Sequence, residues 1–145
     1  MKTGSYLRKK SILPLARLER ALWKVFSLFI KIRDNWTCFT CGERSRGPRM
    51  HAGHFIEDAV GGLALRYNET NVHAQCENCN CHSNDMKAKY EKRMIDVYGL
   101  DIVLALKKLK HKVVKDFDFK TTTDYYKQKV ENMIIYGPLS FDESI

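Results

Sequence analysis

The chain has 145 residues, of which 44% are hydrophobic, and a formal net charge of +8. This length fits one domain with a modest core, and the basic balance points to an anionic partner such as nucleic acid. The longest apolar run, 21–32, is interrupted by Lys24 and Lys31, which excludes a membrane span there.

The charge is unevenly distributed along the chain. Residues 1–33 carry +8, 34–86 carry −3, 87–115 carry +6 and 116–145 carry −3. Two basic flanks therefore bracket a mildly acidic centre, which indicates a polyanionic partner. Two solvated helical faces would give the same pattern, so charge alone leaves both interpretations open.

The first predicted element is a helix that follows Pro14. Its apolar residues recur at helical spacing, which indicates a core-facing stripe: Leu15, Leu18, Leu22, Val25 or Phe26, Phe29 and Ile32. The stretch "MHAGHFI" (50–56) predicts a strand. The "GG" pair at 61–62 then predicts a tight turn, and "LALRY" (63–67) the returning strand of a hairpin.

The rest of the chain reads as helical. A helix is predicted from near Asn80 to Gly99, where glycine should end it. Asp101 is expected to cap a second helix and Thr123 a third, which should end at Gly137.

Four of the five cysteines form two Cys-x-x-Cys pairs, Cys38 with Cys41 and Cys76 with Cys79, separated by 34 residues. Two such turns can complete a tetrahedron of thiolates around zinc and leave no open position, so we expect one structural zinc per chain. This pattern also favours a reducing compartment over a disulfide framework, and hence a cytoplasmic protein. Cys81 remains as a spare, expected to be a small buried residue on the first turn of a helix, with replacement of Cys79 as a ligand the alternative.

Polar residues between and beside the cysteine pairs form a second pattern. His54, Asn71 and Asn80 stand in the order Cys-x-x-Cys, His, Asn, Cys-x-x-Cys-Asn, which is the layout of an HNH nuclease. Hydrolysis of a phosphodiester needs an activated water and a divalent cation, roles suited to a histidine base and to an asparagine oxygen that binds Mg²⁺ or Mn²⁺. Individually, His54 could be structural, Asn71 could form an Asx-turn and Asn80 could cap a helix.

The chain also resembles a particular family, the phage NinG/Rap recombination endonucleases. The resemblance covers roughly residues 15–136 and is carried by "CFTCGE", "HAGHF", "LRYNETNVHAQCENCN" and the later Tyr and Gly of "KYEKRMIDVYGL". It implies a zinc-containing, metal-dependent endonuclease that cuts branched recombination intermediates such as Holliday junctions and D-loops. It also implies the host-cell cytoplasm as the location, and other phage recombination proteins as possible partners.

The resemblance assigns roles to single residues. It implies Cys38, Cys41, Cys76 and Cys79 as zinc ligands, and His54, Asn71 and Asn80 as catalytic residues. Many HNH enzymes carry an acidic cation ligand just before the base, where this chain has Gly53, so His51 and Asp58 are candidate ligands instead. The family often has a Ser-Gly-Asn string after the second cysteine pair. Here Asn84 and Asp85 occupy that region and either could substitute.

We therefore predict an α+β fold, mostly helical, in which a zinc-stabilised ββα-metal core of HNH or treble-clef type is flanked by helices. The single domain, 1–145, would comprise a basic N-terminal arm and helix (1–35), the nuclease core (36–98) and a C-terminal helical part (99–145). Because a junction resolvase must cut two strands, a homodimer is plausible, with the N-terminal helix as its first candidate interface. The competing functions are an inactive zinc-stabilised DNA-binding module, an HNH nuclease for packaging, restriction or homing, and a structural zinc adaptor.

Overall fold

The fold consists of five helices and a two-stranded sheet in the computed structural model, which describes residues 14–81 and 83–137. In chain order these are α1 (Leu15–Arg33), β1 (Met50–His54), α2 (Asp58–Arg66), β2 (Val72–Cys76), α3 (Asn84–Tyr98), α4 (Leu100–Lys108) and α5 (Phe119–Tyr136). The fold is thus mixed α+β and mostly helical, as predicted. The basic arm before Pro14 and the last eight residues lie outside the described residues.

The first helix follows the apolar stripe that predicts it. Leu22, Phe26, Phe29 and Ile30 are buried, and they pack with Tyr126 and Val130 of α5 to form the largest part of the core. Leu15, at the start of the stripe, is 59% exposed. No helix in 14–81 or 83–137 has the length and apolar character needed to cross a membrane.

The hairpin predicted from "GG" and "LALRY" is wrong. Residues 58–66 form α2, which is kinked at Gly62 (φ 53°) and buries Leu65 in a second core cluster with Tyr90, Met94 and Val103. The returning strand is β2, antiparallel to β1, with Met50 opposite Cys76, Gly53 opposite His73 and His54 opposite Val72. All five β2 residues are buried, so the strand lacks the alternation of a half-exposed strand.

The outer edge of β2 is closed without a third strand. The Arg33 guanidinium donates to the carbonyls of Glu69 and Val72, and the Asp34 carboxylate accepts the amide of Ala74 at 2.7 Å. The backbone N–H of Phe39 donates to the carbonyl of the same residue, Ala74. Because Arg33 and Asp34 also pair with each other at 2.7 Å, they form a clamp that joins the end of α1 to the sheet.

Three predicted helix starts need correction. Helix α3 begins at Asn84 and is capped by Ser83, whose hydroxyl accepts from Met86 N, so Asn80 is not on a helix. Gly99, at φ 86°, ends α3 as predicted and also precedes α4, which leaves Asp101 in the first turn. Asp118 caps α5 through Thr121 N; the predicted cap, Thr123, is a buried residue whose hydroxyl donates to the carbonyl of Phe119.

Candidate active site and metal centre

The four predicted zinc ligands come together at one end of the sheet. Cys38 and Cys41 lie on a tight turn after α1, in which Gly42 N donates to the carbonyl of Cys38. Cys76 ends β2, and Cys79 lies on the following turn. The four Sγ atoms lie within 4.8 Å of one another, and those of Cys41 and Cys76 are 3.7 Å apart. A tetrahedron of Zn–S bonds about 2.3 Å long needs sulfurs about 3.8 Å apart, so the cluster could hold a zinc ion.

The chemistry of this cysteine cluster also favours a cation. Burial, together with neighbouring thiols, raises the pKa of Cys76 to about 11 and that of Cys79 further still. In Cys38, burial is outweighed by hydrogen bonds from backbone amides and Cys41, which lower the pKa of that thiol. The Cys76 and Cys79 thiols are therefore the ones that resist losing their protons unless a positive ion compensates the charge. Cys81 lies outside the cluster, is exposed and precedes α3, so the predicted buried position on the helix is wrong.

His54 lies at the end of β1 with its ring held from two sides. Nε2 is 3.0 Å from the carbonyl oxygen of Arg66, which can only accept a hydrogen bond. A neutral His54 must therefore carry its proton on Nε2, which leaves the lone pair on Nδ1. The indole of Trp23, from α1, stacks on the imidazole with centroids 5.1 Å apart.

His54 and Asn80 line the same cleft, which has a volume of about 280 Å³. The cleft also contains the side chains of Glu57, Asp58 and Lys87. Asp58 Oδ1 is 3.4 Å from His54 Nε2, while Lys87 is paired with Glu57. The cleft therefore combines an imidazole, an amide and charged groups of both signs at one end of β1.

Gly53 allows Asn80 to approach β1. A Cβ added at Gly53 would lie 2.6 Å from Asn80 Oδ1 and 2.6 Å from Gln75 Cγ. Any side chain at position 53, including the acid expected there in many HNH enzymes, would therefore displace Asn80 or Gln75. The glycine and the asparagine fit together as a pair, because Asn80 occupies the space that a side chain at 53 would need.

Asn71 is fully buried and ties two segments around His54 together. Its Oδ1 accepts from Ile56 N at 2.9 Å, and its Nδ2 donates to the carbonyls of Ile56 and Leu65, each at 3.1 Å. Leu65 precedes the residue whose carbonyl holds His54. Asn71 is thus placed to position the imidazole indirectly, since none of its hydrogen bonds among the described residues reaches His54.

Two further predicted ligands lie away from the cleft. His51 is exposed, and because side chains alternate along a strand it lies on the face opposite His54. Asp85 is 71% exposed and pairs with Lys89 at 3.0 Å. Neither residue lines the cleft, so the geometry brings together His54 and Asn80 but not His51 or Asp85.

His73 is a structural residue of the sheet rather than part of the cleft. Tyr90 OH donates to the carbonyl of Gly53 at 2.9 Å and must therefore accept from His73 Nδ1 at 3.0 Å. Tyr98 OH then donates to Nε2 at 2.7 Å. Burial, and next the positive charge of Arg33, lower the pKa of His73 to about 3. A neutral His73 thereby links α3 to β1 just before His54.

The contributions of Trp23 and of the Arg33–Asp34 clamp are absent from the sequence prediction. Trp23 lies one position from Leu22 and looks like an ordinary edge residue of an amphipathic helix. Arg33 and Asp34 look like surface charges. One feature of the sequence could have indicated a role for Trp23: it is a large aromatic residue that stands between the basic residues Arg20 and Lys24 of the predicted helix.

The described fold and site define a class of protein: a mostly helical α+β protein with a four-cysteine cluster that could hold zinc. The model of one protein family, described as "Bacteriophage Lambda NinG protein", matches residues 2–134. The chain belongs to this family, which confirms the resemblance to NinG predicted from its motifs.

Individual relatives agree with this assignment. Protein ninG of Escherichia phage lambda is 30% identical over 98 residues, which cover 67% of this chain and 47% of the relative. The ninG proteins of Escherichia phage 933W and Salmonella phage P22 are each 29% identical over 98 residues, which cover 67% of this chain and 48% and 47% of those relatives. The chain spans about half the length of the curated relatives it matches. No solved structure is significantly similar to it.

Proposed function

We propose that this protein is a metal-dependent endonuclease that hydrolyses phosphodiester bonds of DNA, with His54 as the general base. The observation that carries the proposal is the hydrogen bond between His54 Nε2 and the Arg66 carbonyl. This bond leaves Nδ1 as the proton acceptor on a ring that lines an open cleft beside Asn80. A neutral imidazole with one fixed tautomer is the form that a general base needs.

In the proposed reaction, His54 Nδ1 takes a proton from water as the water oxygen bonds to the scissile phosphorus and the bond from phosphorus to the leaving oxygen breaks. The ring then carries a positive charge, and the Asp58 carboxylate, 3.4 Å from Nε2, attracts it. The Asn80 amide oxygen offers the hard ligand that Mg²⁺ or Mn²⁺ prefers. When bound there, such a cation would orient the phosphate and stabilise the charge on the leaving oxygen.

The cysteine cluster supports this role indirectly. Asn80 follows Cys79 directly, and Asn80 N donates to the carbonyl of Cys76 at 2.9 Å. A zinc ion held by the four cysteines would fix this turn and, with it, the position of the amide. We propose that zinc is structural and that a second, divalent cation takes part in the reaction.

We propose branched recombination intermediates, including Holliday junctions and D-loops, as the substrates. Membership in the NinG family and the net charge of +8 support a DNA substrate, and the family resemblance supports its branched form. Cleavage of both strands of a junction would require two active sites, which is consistent with a homodimer.

The test is cleavage of end-labelled four-way junction, D-loop, flap and linear duplex, with Mg²⁺, with Mn²⁺ and with EDTA. We expect cation-dependent cutting of the branched substrates, and a loss of about 10²-fold to 10⁴-fold in rate for His54→Ala. The matched control is His111→Asn, an exposed histidine at φ 60°, a backbone conformation that asparagine tolerates. Junction binding without cutting by any cation would favour the inactive DNA-binding module instead.

A further inference from the structure

One face of α1 carries positive charges only: Arg17, Arg20 and Lys24 are exposed, and Lys31 is half-buried over the ring of Trp36. Arg17, Arg20, Lys24 and Lys31 are separated by three, four and seven residues, so at about 100° per residue they form one stripe along the helix. The buried face of α1, formed by Leu22, Phe26, Phe29 and Ile30, lies on the opposite side. The stripe runs for about 21 Å, at 1.5 Å per residue.

None of these four cations has an ion-pair partner in 14–81 or 83–137, and the same holds there for the exposed lysines at 108, 110, 112 and 115. Other exposed lysines of the described chain are paired with acids. Lys89 pairs with Asp85, Lys92 with Asp96 and Lys120 with Asp124, each four residues apart in a helix. Lys89 and Lys92 are therefore paired locally, whereas the α1 cations and the exposed lysines of 108–115 are available to a partner.

The stripe offers little apolar surface for a protein partner. Among the large apolar residues of α1, Leu15 is the exposed one, and the other such residues of the described chain lie on α3, α4, α5 and the loop before α5. Ala16 and Ala21 are the small exposed residues between the cations. A cationic face with small neutral residues fits a phosphate backbone better than a hydrophobic interface, including the dimer interface first predicted for this helix.

Trp23 links this face to the cleft. Its ring stacks on His54 with a tilt of 14°, and it lies three residues after Arg20 and one before Lys24. The centre of the basic stripe is therefore beside the wall of the cleft, so a nucleic acid strand on the stripe could continue toward His54.

We propose that the exposed face of α1 is the surface that binds the DNA backbone next to the cleft, an inference that rests on the proposed function. The length of the stripe corresponds to about six base-pair steps of 3.4 Å. The contacts are to phosphates, so this surface sets affinity and orientation and reads no base sequence.

The test measures binding separately from cutting. Fluorescence anisotropy of a labelled four-way junction is followed against salt concentration, without added divalent cation and in a His54→Ala background. The triple variant Arg17→Gln, Arg20→Gln, Lys24→Gln is compared with the triple control Lys89→Gln, Lys92→Gln, Lys120→Gln. Both remove three positive charges at exposed helical positions, where glutamine is well tolerated.

We expect the α1 triple variant to weaken binding at least about ten-fold near physiological salt and to lower the salt slope by about two to three. The control should change the slope by less than about one. Equal losses in the two triple variants, or no loss in either, would overturn the inference while leaving the nuclease proposal intact. Failure of the parent protein to bind DNA at low salt would overturn both. Thermal unfolding of each variant checks that the fold is retained.

Discussion

The indole ring of Trp23 stacks on the imidazole ring of His54, with centroids 5.1 Å apart and planes tilted by 14°. The two residues come from different elements, α1 and β1. The stack fixes the plane of the imidazole, and the Arg66 carbonyl fixes its rotation within that plane. Together they hold His54 in one orientation toward the cleft, which makes Trp23 a positioning residue in the proposed reaction.

Replacing Trp23 should reduce cleavage through the orientation of His54. We expect Trp23→Leu to lower the turnover rate by about ten-fold or more, because small misplacements of a reacting group are costly. Trp23→Phe keeps an aromatic face and should restore most of the rate. Equal activity of the leucine and phenylalanine variants, at equal thermal stability, would show that the stack has no role beyond packing.

The same contact should be visible in fluorescence without any activity. In a Trp36→Phe background Trp23 is the only tryptophan of the sequence, so the emission reports on its surroundings. His54→Ala removes the ring that stacks on the indole and should therefore change the intensity or wavelength of that emission at constant pH. The control His111→Asn should leave the emission unchanged; an unchanged spectrum in His54→Ala would contradict the stack.

Metal analysis should find one tightly bound zinc per chain. Cys76→Ala removes a ligand from the cluster, so we expect loss of zinc and of most of the fold, because binding of a structural zinc is largely folding energy. Cys81→Ala is the matched control, since Cys81 lies outside the cluster, and it should retain zinc and thermal stability. Well-folded protein without zinc in elemental analysis would refute this prediction.

The Arg33–Asp34 clamp should contribute measurably to stability. Asp34→Ala leaves the amide of Ala74 and the guanidinium of Arg33 without their carboxylate partner. We expect a loss of about 1.5–3 kcal/mol in the free energy of unfolding, the range for hydrogen bonds to charged groups. Asp124→Ala breaks an exposed ion pair with Lys120 and should cost less than about 1 kcal/mol in the same urea titration. Similar losses in both variants would contradict the proposed role of the clamp.

Stability should fall in acid partly because of His73. Its pKa is about 3 in the folded protein, against an ordinary value of 6.5, so the unfolded chain binds the proton first as the pH falls. As the pH falls from about 6.5 to about 3, protonation of His73 in the unfolded chain therefore lowers the free energy of unfolding. The slope of this loss approaches about 1.4 kcal/mol per pH unit.

His73→Gln should remove this component of the pH dependence, although it also lowers stability at neutral pH by disrupting the bonds to Tyr90 and Tyr98. Release of zinc in acid lowers the stability of the variant and of the parent alike. The quantity to compare is therefore the slope of the free energy of unfolding against pH, measured for each protein between pH 6 and pH 4. Identical slopes for the variant and the parent would mean that folding does not lower the pKa of His73, so that the folded and unfolded chains take up its proton at the same pH.

The sequence predicts the parts of this molecule that have a short, regular signal. Paired cysteines specify the four-cysteine cluster, the apolar stripe specifies α1, and the motifs around His54 and Asn80 place both residues in one cleft. The strand β2 was not predicted. It is buried on both faces, so it lacks the alternation of a half-exposed strand, and it contains His73 and Gln75, whose polarity is not typical of a buried strand. Its partners, Tyr90, Tyr98 and Thr40, are distant in sequence.

The remaining differences have the same physical origin. Trp23 meets His54, and Asp34 meets Ala74, only after the chain has folded, so no local pattern marks either contact. The patterns of HNH enzymes and of the family predict His51 and Asp85 as cation ligands. The alternation of β1 places His51 on the opposite face from His54. Asp85 lies on the exposed first turn of α3, where it pairs with Lys89.

The most direct test of the central claim is the single-turnover rate of four-way junction cleavage as Mg²⁺ or Mn²⁺ is raised, measured for the unmutated protein, His54→Ala and Asn80→Ala. His54→Ala should lose about 10²-fold to 10⁴-fold in rate at every cation concentration, with junction binding and zinc content retained. Asn80→Ala should recover part of its activity at high cation, because its defect is weaker cation binding. Normal cleavage by His54→Ala would contradict the assignment of the base, and the absence of any cleavage by the unmutated protein would contradict the nuclease itself.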